Sequence, residues 1–231
     1  MKRFYREVAV AEVPGGWQVT LDGRGIRTVK GAPQVVPSRA LAEVLAAEWT
    51  GQGEEIDPVA FRLRDQADYA IDVVASDPAA IVAMLLGFAE TDTLCYRADP
   101  DEPLHARQLA EWEPLLAALE QREGVRFARV SGIIHRPQPA ATLAQLRQRL
   151  ASCDPFTLAG LHAATSLAAS LAVALLALDG LARPDDLWRA ANLEEEWQAE
   201  LWGRDPQAEE RRARRRADFL AACEWFRLLR A

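Results

Sequence analysis

The chain has 231 residues, of which 50% are hydrophobic and 26% are charged. This is long and apolar enough to bury its own core without staples or metals. The formal net charge of −7 argues against a nucleic-acid-binding protein, because contact with phosphates needs a basic surface. The three cysteines lie far apart and form no CxxC motif, which favours a reducing compartment. No apolar signal segment follows the charged N-terminus, so we expect a cytoplasmic protein.

The N-terminal residues predict an antiparallel β-meander. Loosely alternating runs at 4–11, 17–21 and 26–29 are separated by the turn sequences Pro14-Gly15-Gly16 and Asp22-Gly23-Arg24-Gly25. A short run at 34–36 stops at Pro37, and Ser38 is expected to cap a helix that reaches about residue 52.

Beyond Pro58 the pattern is mainly helical, with proline, aspartate and glycine marking many helix ends. Helices are predicted over 64–75, 78–89, 103–123, 140–151, 155–178, 184–202 and 206–229, and a short β-like run over 125–134 interrupts them. The fold class is therefore α+β. We expect a small N-terminal domain, residues 1–90, with the meander and helices, followed by a mainly α-helical bundle domain, residues 91–231.

One predicted helix is apolar enough to be mistaken for a membrane span. Residues 155–178 contain no Asp, Glu, Lys or Arg, and that length could cross a bilayer. The segment is rich in alanine, however, and is flanked by Asp154 and Asp179 in place of the basic residues typical of membrane helices. We therefore predict a buried helix and no membrane insertion.

Motifs for catalysis are missing from the sequence. The glycine-dense stretches suit hairpin turns and match no phosphate-binding loop. His105, His135 and His162 stand apart from one another and from clustered ligands, and no Gly-x-Ser-x-Gly elbow occurs. We expect a non-enzyme with no cofactor, no metal site and no small-molecule substrate, although a site assembled only by the fold stays open.

Acidic residues and tryptophans are concentrated near the C-terminus. A single helix over 184–202 would place Trp197 and Trp202 on one broad apolar face, with Glu194 and Gln198 inside it and Glu195 at its edge. Carboxylates in such a face need partners. They either form an internal salt bridge with one of the many arginines or face another protein, where aromatic and acidic groups favour binding. A catalytic acid pair is disfavoured, because neighbouring helical positions diverge by about 100°.

The sequence resembles one family over nearly its whole length. The resemblance is carried by motifs in order along the chain, each of them weak alone. They are Arg3-Phe4-Tyr5, Gly16-Trp17-x-Val19-x-Leu21-Asp22-Gly23-Arg24, Glu48-Trp49, Gln52-Gly53-Glu54-Glu55-Ile56-Asp57-Pro58, Thr91-Asp92-Thr93-Leu94-Cys95-Tyr96-Arg97, Gln108, Trp112-Glu113-Pro114-Leu115-Leu116, Asp154-Pro155-Phe156 and Glu195-Glu196-Trp197-Gln198 with Trp202-Gly203. The chain is similar to the assembly chaperones that bind the α subunit of the F-type ATP synthase catalytic head.

This resemblance implies a protein that works without ATP. It would cover the β-facing surface of the free α subunit until assembly, in the bacterial cytosol or, for eukaryotic relatives, in the mitochondrial matrix. Partner binding would lie at Glu195, in the Glu-x-Trp-Gln motif, with Glu194, Gln198, Trp197 and Trp202 around it. A small-molecule enzyme with a fold-assembled site and a regulatory binding module remain the alternatives.

Overall fold

The structure is a computed structural model that describes residues 1–132 and 135–231. The chain divides into two units. The first comprises Met1–Pro78, Asp154–Gly160 and Glu224–Ala231, and the second comprises Ala79–Cys153 and Leu161–Cys223.

The first unit contains the predicted meander. Strands β1 (Val8–Val13), β2 (Gly16–Leu21) and β3 (Arg24–Gly25) pair antiparallel in that order, and β4 (Val35–Val36) also pairs with β2. Asp22 and Gly23 connect β2 to β3 with φ of 49° and 77°, the positive values that a type I′ hairpin turn requires. The prediction of an N-terminal antiparallel meander is confirmed.

Two helices follow this sheet in the first unit. Helix α1 (Arg39–Thr50) begins as predicted at Ser38, whose side chain accepts a hydrogen bond from the Leu41 N–H and so satisfies one of the unpaired donors of the first turn. Helix α2 covers Arg62–Asp72. The core between sheet and helices contains buried apolar side chains at Val19, Leu41 and Leu45.

The second unit is mainly helical. Its elements are α3 (Pro78–Glu90, whose first residue belongs to the first unit), β5 (Tyr96–Arg97), α4 (Pro103–Glu123), β6 (Val130–Ser131), α5 (Ala140–Ala151), most of α6 (Pro155–Ala168), α7 (Leu171–Asp179), α8 (Pro184–Ala191), α9 (Leu193–Trp202) and most of α10 (Pro206–Leu229). Strands β5 and β6 pair in parallel. The β-like run predicted over 125–134 is thus a two-residue strand in the described part, and Ile133 and Ile134 lie outside the described residues.

The sequence predicted one helix over the apolar segment 155–178. This prediction is wrong, because the segment forms two helices. Helix α6 ends at Ala168, Ala169 has a left-handed φ of 48°, and Ser170 caps α7 by accepting from the Val173 N–H at 3.0 Å. The buried Asp92 carboxylate holds this break. It accepts hydrogen bonds from the Ser170 hydroxyl at 2.6 Å and from the Ala172 N–H at 2.8 Å.

The helix predicted over 184–202 is also divided. Asn192 separates α8 from α9, and both its backbone N–H and its side-chain amide donate to the Trp188 carbonyl, at 3.1 and 2.9 Å. An asparagine side chain that competes for backbone partners in this way favours a helix break. The continuous apolar face predicted for this segment is therefore wrong: Leu187 at its start is buried in α8, whereas Leu201 and Trp202 at its end are exposed on α9.

One stretch of the described chain, Pro78–Cys95, is long and apolar enough to cross a membrane by length and composition, and 44% of it is buried. A buried core helix of a soluble protein has the same character. The apolar segment 155–178 no longer fits such a span, because it is divided between α6 and α7.

Candidate functional site

Helix α9 carries all five residues that the sequence singled out. Leu193 is its buried anchor, and three glutamates occupy its first turn, where negative charge is favoured by the helix dipole. Helical spacing then places Glu194, Glu195, Gln198 and Trp202 along one side of the helix. We call these four residues the α9 face.

Glu194 is held by a buried glutamine from another helix. Its Oε1 accepts a hydrogen bond of 2.7 Å from Nε2 of Gln108 in α4. The Gln108 side chain is fully buried, and its own Oε1 accepts from the Ala98 N–H at 2.8 Å. Burial raises the pKa of the Glu194 carboxyl, and the single hydrogen bond from Gln108 opposes that rise only in part. The amide therefore orients a carboxylate that has no cationic partner within ion-pair distance in the described chain.

Glu194 and Gln198 line a common cavity of about 390 Å³. Other lining residues are Tyr96, Arg97, Ala98, Asp99, Glu102, Leu104 and Gly132. The one lining arginine, Arg97, already donates to Glu113 at 2.6 Å. The cavity wall therefore has more carboxylates than available cations.

Glu195 lies at the surface. Its nearest cation is Arg215, with the Arg215 Nη1 at 3.8 Å from the Glu195 Oε2, and the two side chains are 48% and 45% exposed. Arg215 also lies over the Trp188 ring, 5.6 Å from its centre, and donates to the Leu167 carbonyl. An ion pair this exposed contributes little to stability, so the internal salt bridge considered for this carboxylate is only a weak surface contact.

Glu196 forms the stronger, partly buried salt bridge of this helix. Its side chain is 19% exposed and pairs with both Arg204 and Arg212. Burial works against ionisation here, but the two arginines hold the pKa of Glu196 below its usual range. This salt bridge thus lies on the opposite side of the helix from the α9 face, and it does not involve Glu194 or Glu195, the carboxylates for which an internal salt bridge was the alternative.

The two tryptophans of α9 have different surroundings. Trp197 is partly buried beneath Arg107, whose guanidinium carbon is 5.7 Å from the ring centre and whose Nη1 is 2.7 Å from the Glu200 carboxylate. Trp202 is 78% exposed, beside Leu201 at 57%. Of the five predicted site residues, Trp197 therefore packs against its own unit, whereas Trp202 presents its ring to solvent.

Several residues that shape this region had no role assigned from the sequence. They are Gln108, Arg97 and Glu113, the last of which also accepts from Arg129 at 2.7 Å. Gln108, Arg97 and Glu113 belong to the motifs that carry the family resemblance, and those motifs were the one signal in the sequence that pointed to these residues. Within residues 1–132 and 135–231, no group of three or more His, Cys, Asp or Glu side chains is arranged to hold a metal ion.

Solved structures share this fold along nearly the whole chain. Atp12 from Paracoccus denitrificans is 36% identical with a TM-score of 0.94, covering 99% of this chain and 98% of that one. The structure of a mutant of the same Atp12p has the same sequence identity and TM-score to this chain, and the match covers 97% of the mutant chain. The Atu1473 protein of Agrobacterium tumefaciens is 42% identical with a TM-score of 0.94, covering 99% of this chain and 86% of that one. An N-terminal meander followed by this set of helices is thus the fold of the Atp12 chaperones.

The family itself follows from the sequence comparison. The model of the family described as ATP12 chaperone protein matches residues 2–120, and the chain belongs to this family. Protein atp12, mitochondrial, of Schizosaccharomyces pombe is 25% identical over 218 residues, which are 87% of this chain and 74% of the relative. The family resemblance drawn from the motifs is confirmed.

Proposed function

We propose that this protein is an assembly chaperone that binds the free α subunit of the F-type ATP synthase head through the α9 face. It covers the surface that the β subunit later occupies and releases it without using ATP. We place it in the cytoplasm and assign it no catalytic activity.

The observation that carries this proposal is the exposed Trp202 on the same helix side as the Glu194 and Glu195 carboxylates. An aromatic ring supplies a large area that a partner can bury. Carboxylates beside it select a basic or amide-rich surface and disfavour acidic ones. Because Glu194 is already partly desolvated, less of its hydration is lost when a partner covers it.

The test is capture of α subunit by the Glu195→Lys variant. We expect a loss of about 2 kcal/mol in binding, roughly thirtyfold, because a reversed charge would face the partner's basic surface. The melting temperature should fall by no more than about 4–8 °C, since the exposed Glu195–Arg215 pair and the interaction of Glu195 with the helix dipole are each worth at most about 1 kcal/mol. Capture should be the same with and without Mg-ATP.

Matched variants make the result specific. Glu90→Lys changes the charge equally at an exposed position at the end of α3 and should capture α as wild type does, whereas Trp202→Ala should weaken capture without lowering the melting temperature. Glu196 is unsuitable as a control because of its two arginine partners. If Glu195→Lys melts normally and still captures α at wild-type strength, the α9 face is not the binding site.

A further inference from the structure

The first unit has a cavity of its own, on the sheet and helices of the N-terminal residues. Its volume is about 610 Å³, within the range typical of ligand sites. Its lining includes Phe4, Tyr5, Trp49, Ile26, Arg24 and Arg27. The lining thus combines aromatic and aliphatic side chains with arginines.

A row of aromatic rings forms one wall. Phe4 meets Tyr5 edge-on with ring centres 5.4 Å apart, and Tyr5 meets Trp49 in the same way at 5.5 Å. The Arg64 guanidinium carbon lies 5.8 Å from the Trp49 ring centre. Tyr5 and Trp49 are buried, but Phe4 is 63% exposed. The row therefore ends at the cavity in an apolar ring that is largely open to solvent.

The charge of this region is opposite to that of the whole chain. Residues 1–30 hold six Lys and Arg against three Asp and Glu, in a protein of net charge −7. The one acid in the lining, Asp22, keeps its negative charge, but its oxygens already accept from the backbone N–H groups of Arg6 and Glu7 at 2.8–3.3 Å, and Arg24, Arg27 and Arg64 outnumber it in the lining. Arg24 and Arg27 are exposed at the same cavity. Its local potential therefore favours an anionic ligand.

We propose that this cavity binds a polypeptide segment in which an acidic side chain stands next to an aromatic or large aliphatic one. The carboxylate pairs with Arg24 and Arg27, and the apolar side chain packs on Phe4 and the aromatic row. Arginine suits this task because its planar fork matches a carboxylate in two hydrogen bonds. The concave shape favours a side chain that enters it over a flat lipid surface. The site shares no residue with the α9 face and stands whether or not the α-subunit proposal holds.

The experiment measures fluorescence polarisation of a labelled short peptide in which Glu residues flank a single Phe, titrated with the full-length protein. Two companion peptides replace the Glu residues by Gln or the Phe by Ser. We expect the parent peptide to bind at least tenfold more tightly than either companion, and its affinity to fall as salt is raised. Equal affinity for the parent and the Gln peptide would overturn the proposal.

Protein variants then locate the site. The double change Arg24→Glu with Arg27→Glu should weaken peptide binding at least tenfold, and Phe4→Ala should weaken it severalfold. The control, Arg147→Glu with Arg211→Glu, alters the net charge equally at exposed positions of the second unit and should leave binding unchanged. Equal losses in the control and the cavity variants would show a nonspecific charge effect and refute the site.

A second experiment tests whether the cavity binds anionic lipid headgroups instead of a peptide carboxylate. The same proteins are sedimented with vesicles of phosphatidylserine and phosphatidylcholine. Binding to the vesicles that is lost with Arg24→Glu and Arg27→Glu, together with no binding of the peptide, would replace the proposal by a lipid-binding surface. Peptide binding without vesicle binding supports it.

Discussion

Replacing Asp92 by alanine should destabilise the second unit strongly, because this side chain supports the break between α6 and α7. Its carboxylate is fully buried and accepts from the Ser170 hydroxyl at 2.6 Å, the Ala172 N–H at 2.8 Å and the Leu94 N–H at 3.1 Å. The alanine variant would leave all three donors without this acceptor.

The size of the effect follows from these three donors. A buried donor that loses its acceptor costs about 1–3 kcal/mol, and partial relaxation brings the expected total to about 4 kcal/mol. For a chain of 231 residues this corresponds to a fall in melting temperature of roughly 8–16 °C. Asp92→Asn keeps the shape and one acceptor oxygen, so its loss should be smaller.

Urea unfolding followed by circular dichroism measures the free energy of unfolding, and thermal melting checks the shift. Asp101→Ala, at an exposed aspartate in the same unit, is the control and should change stability by no more than about 0.5 kcal/mol. A loss below about 1 kcal/mol in Asp92→Ala would refute the view that the carboxylate holds the helix break.

Two further predictions concern stability. Burial raises the pKa of Asp92 from 3.8 to about 6 in the folded state, so the folded state binds the carboxyl proton more tightly than the unfolded state does. The contribution of Asp92 to the free energy of unfolding therefore grows as the pH falls below 6. In urea unfolding, the free energy of unfolding of the wild type should therefore rise by about 2 kcal/mol relative to that of Asp92→Asn when the pH is lowered from 7 to about 4.5. A difference that does not change with pH would contradict this prediction. Gly160→Ala should cost about 1–3 kcal/mol, since an added Cβ would lie 2.6 Å from Phe226 and 2.7 Å from Trp225. Gly87→Ala, in open space on α3, should instead stabilise by about 0.5–1 kcal/mol, and equal effects of the two substitutions in thermal melts would disprove the packing argument.

Much of the secondary structure could be predicted because its signals are local. Helices α4, α5 and α10 have the predicted bounds. A proline in the first turn presets the backbone and lacks the N–H that would be unpaired there, and Gly124 ends α4 with a left-handed φ of 67°. The hairpin at Asp22 and Gly23 rests on the same kind of short-range chemistry.

The same locality accounts for the two wrong helices. Segment 155–178 is rich in good helix formers, so propensity favours one continuous helix. The break at Ala169 and Ser170 depends on Asp92, which lies 78 residues before Ser170. No stretch of sequence within the helix contains Asp92, so local propensity could not reveal the break.

For the candidate site, too, the sequence predicted some features and only the tertiary structure decided others. Helical spacing alone determined that Glu194, Gln198 and Trp202 share one side of α9, and the motifs alone determined the family. Only the tertiary structure decided which glutamate is paired, because Gln108 is 86 residues from Glu194 and the partners of Glu196 come from beyond the end of α9. Periodicity sets the direction in which a side chain points from its helix, but the charge and burial it meets there are set by elements distant in sequence.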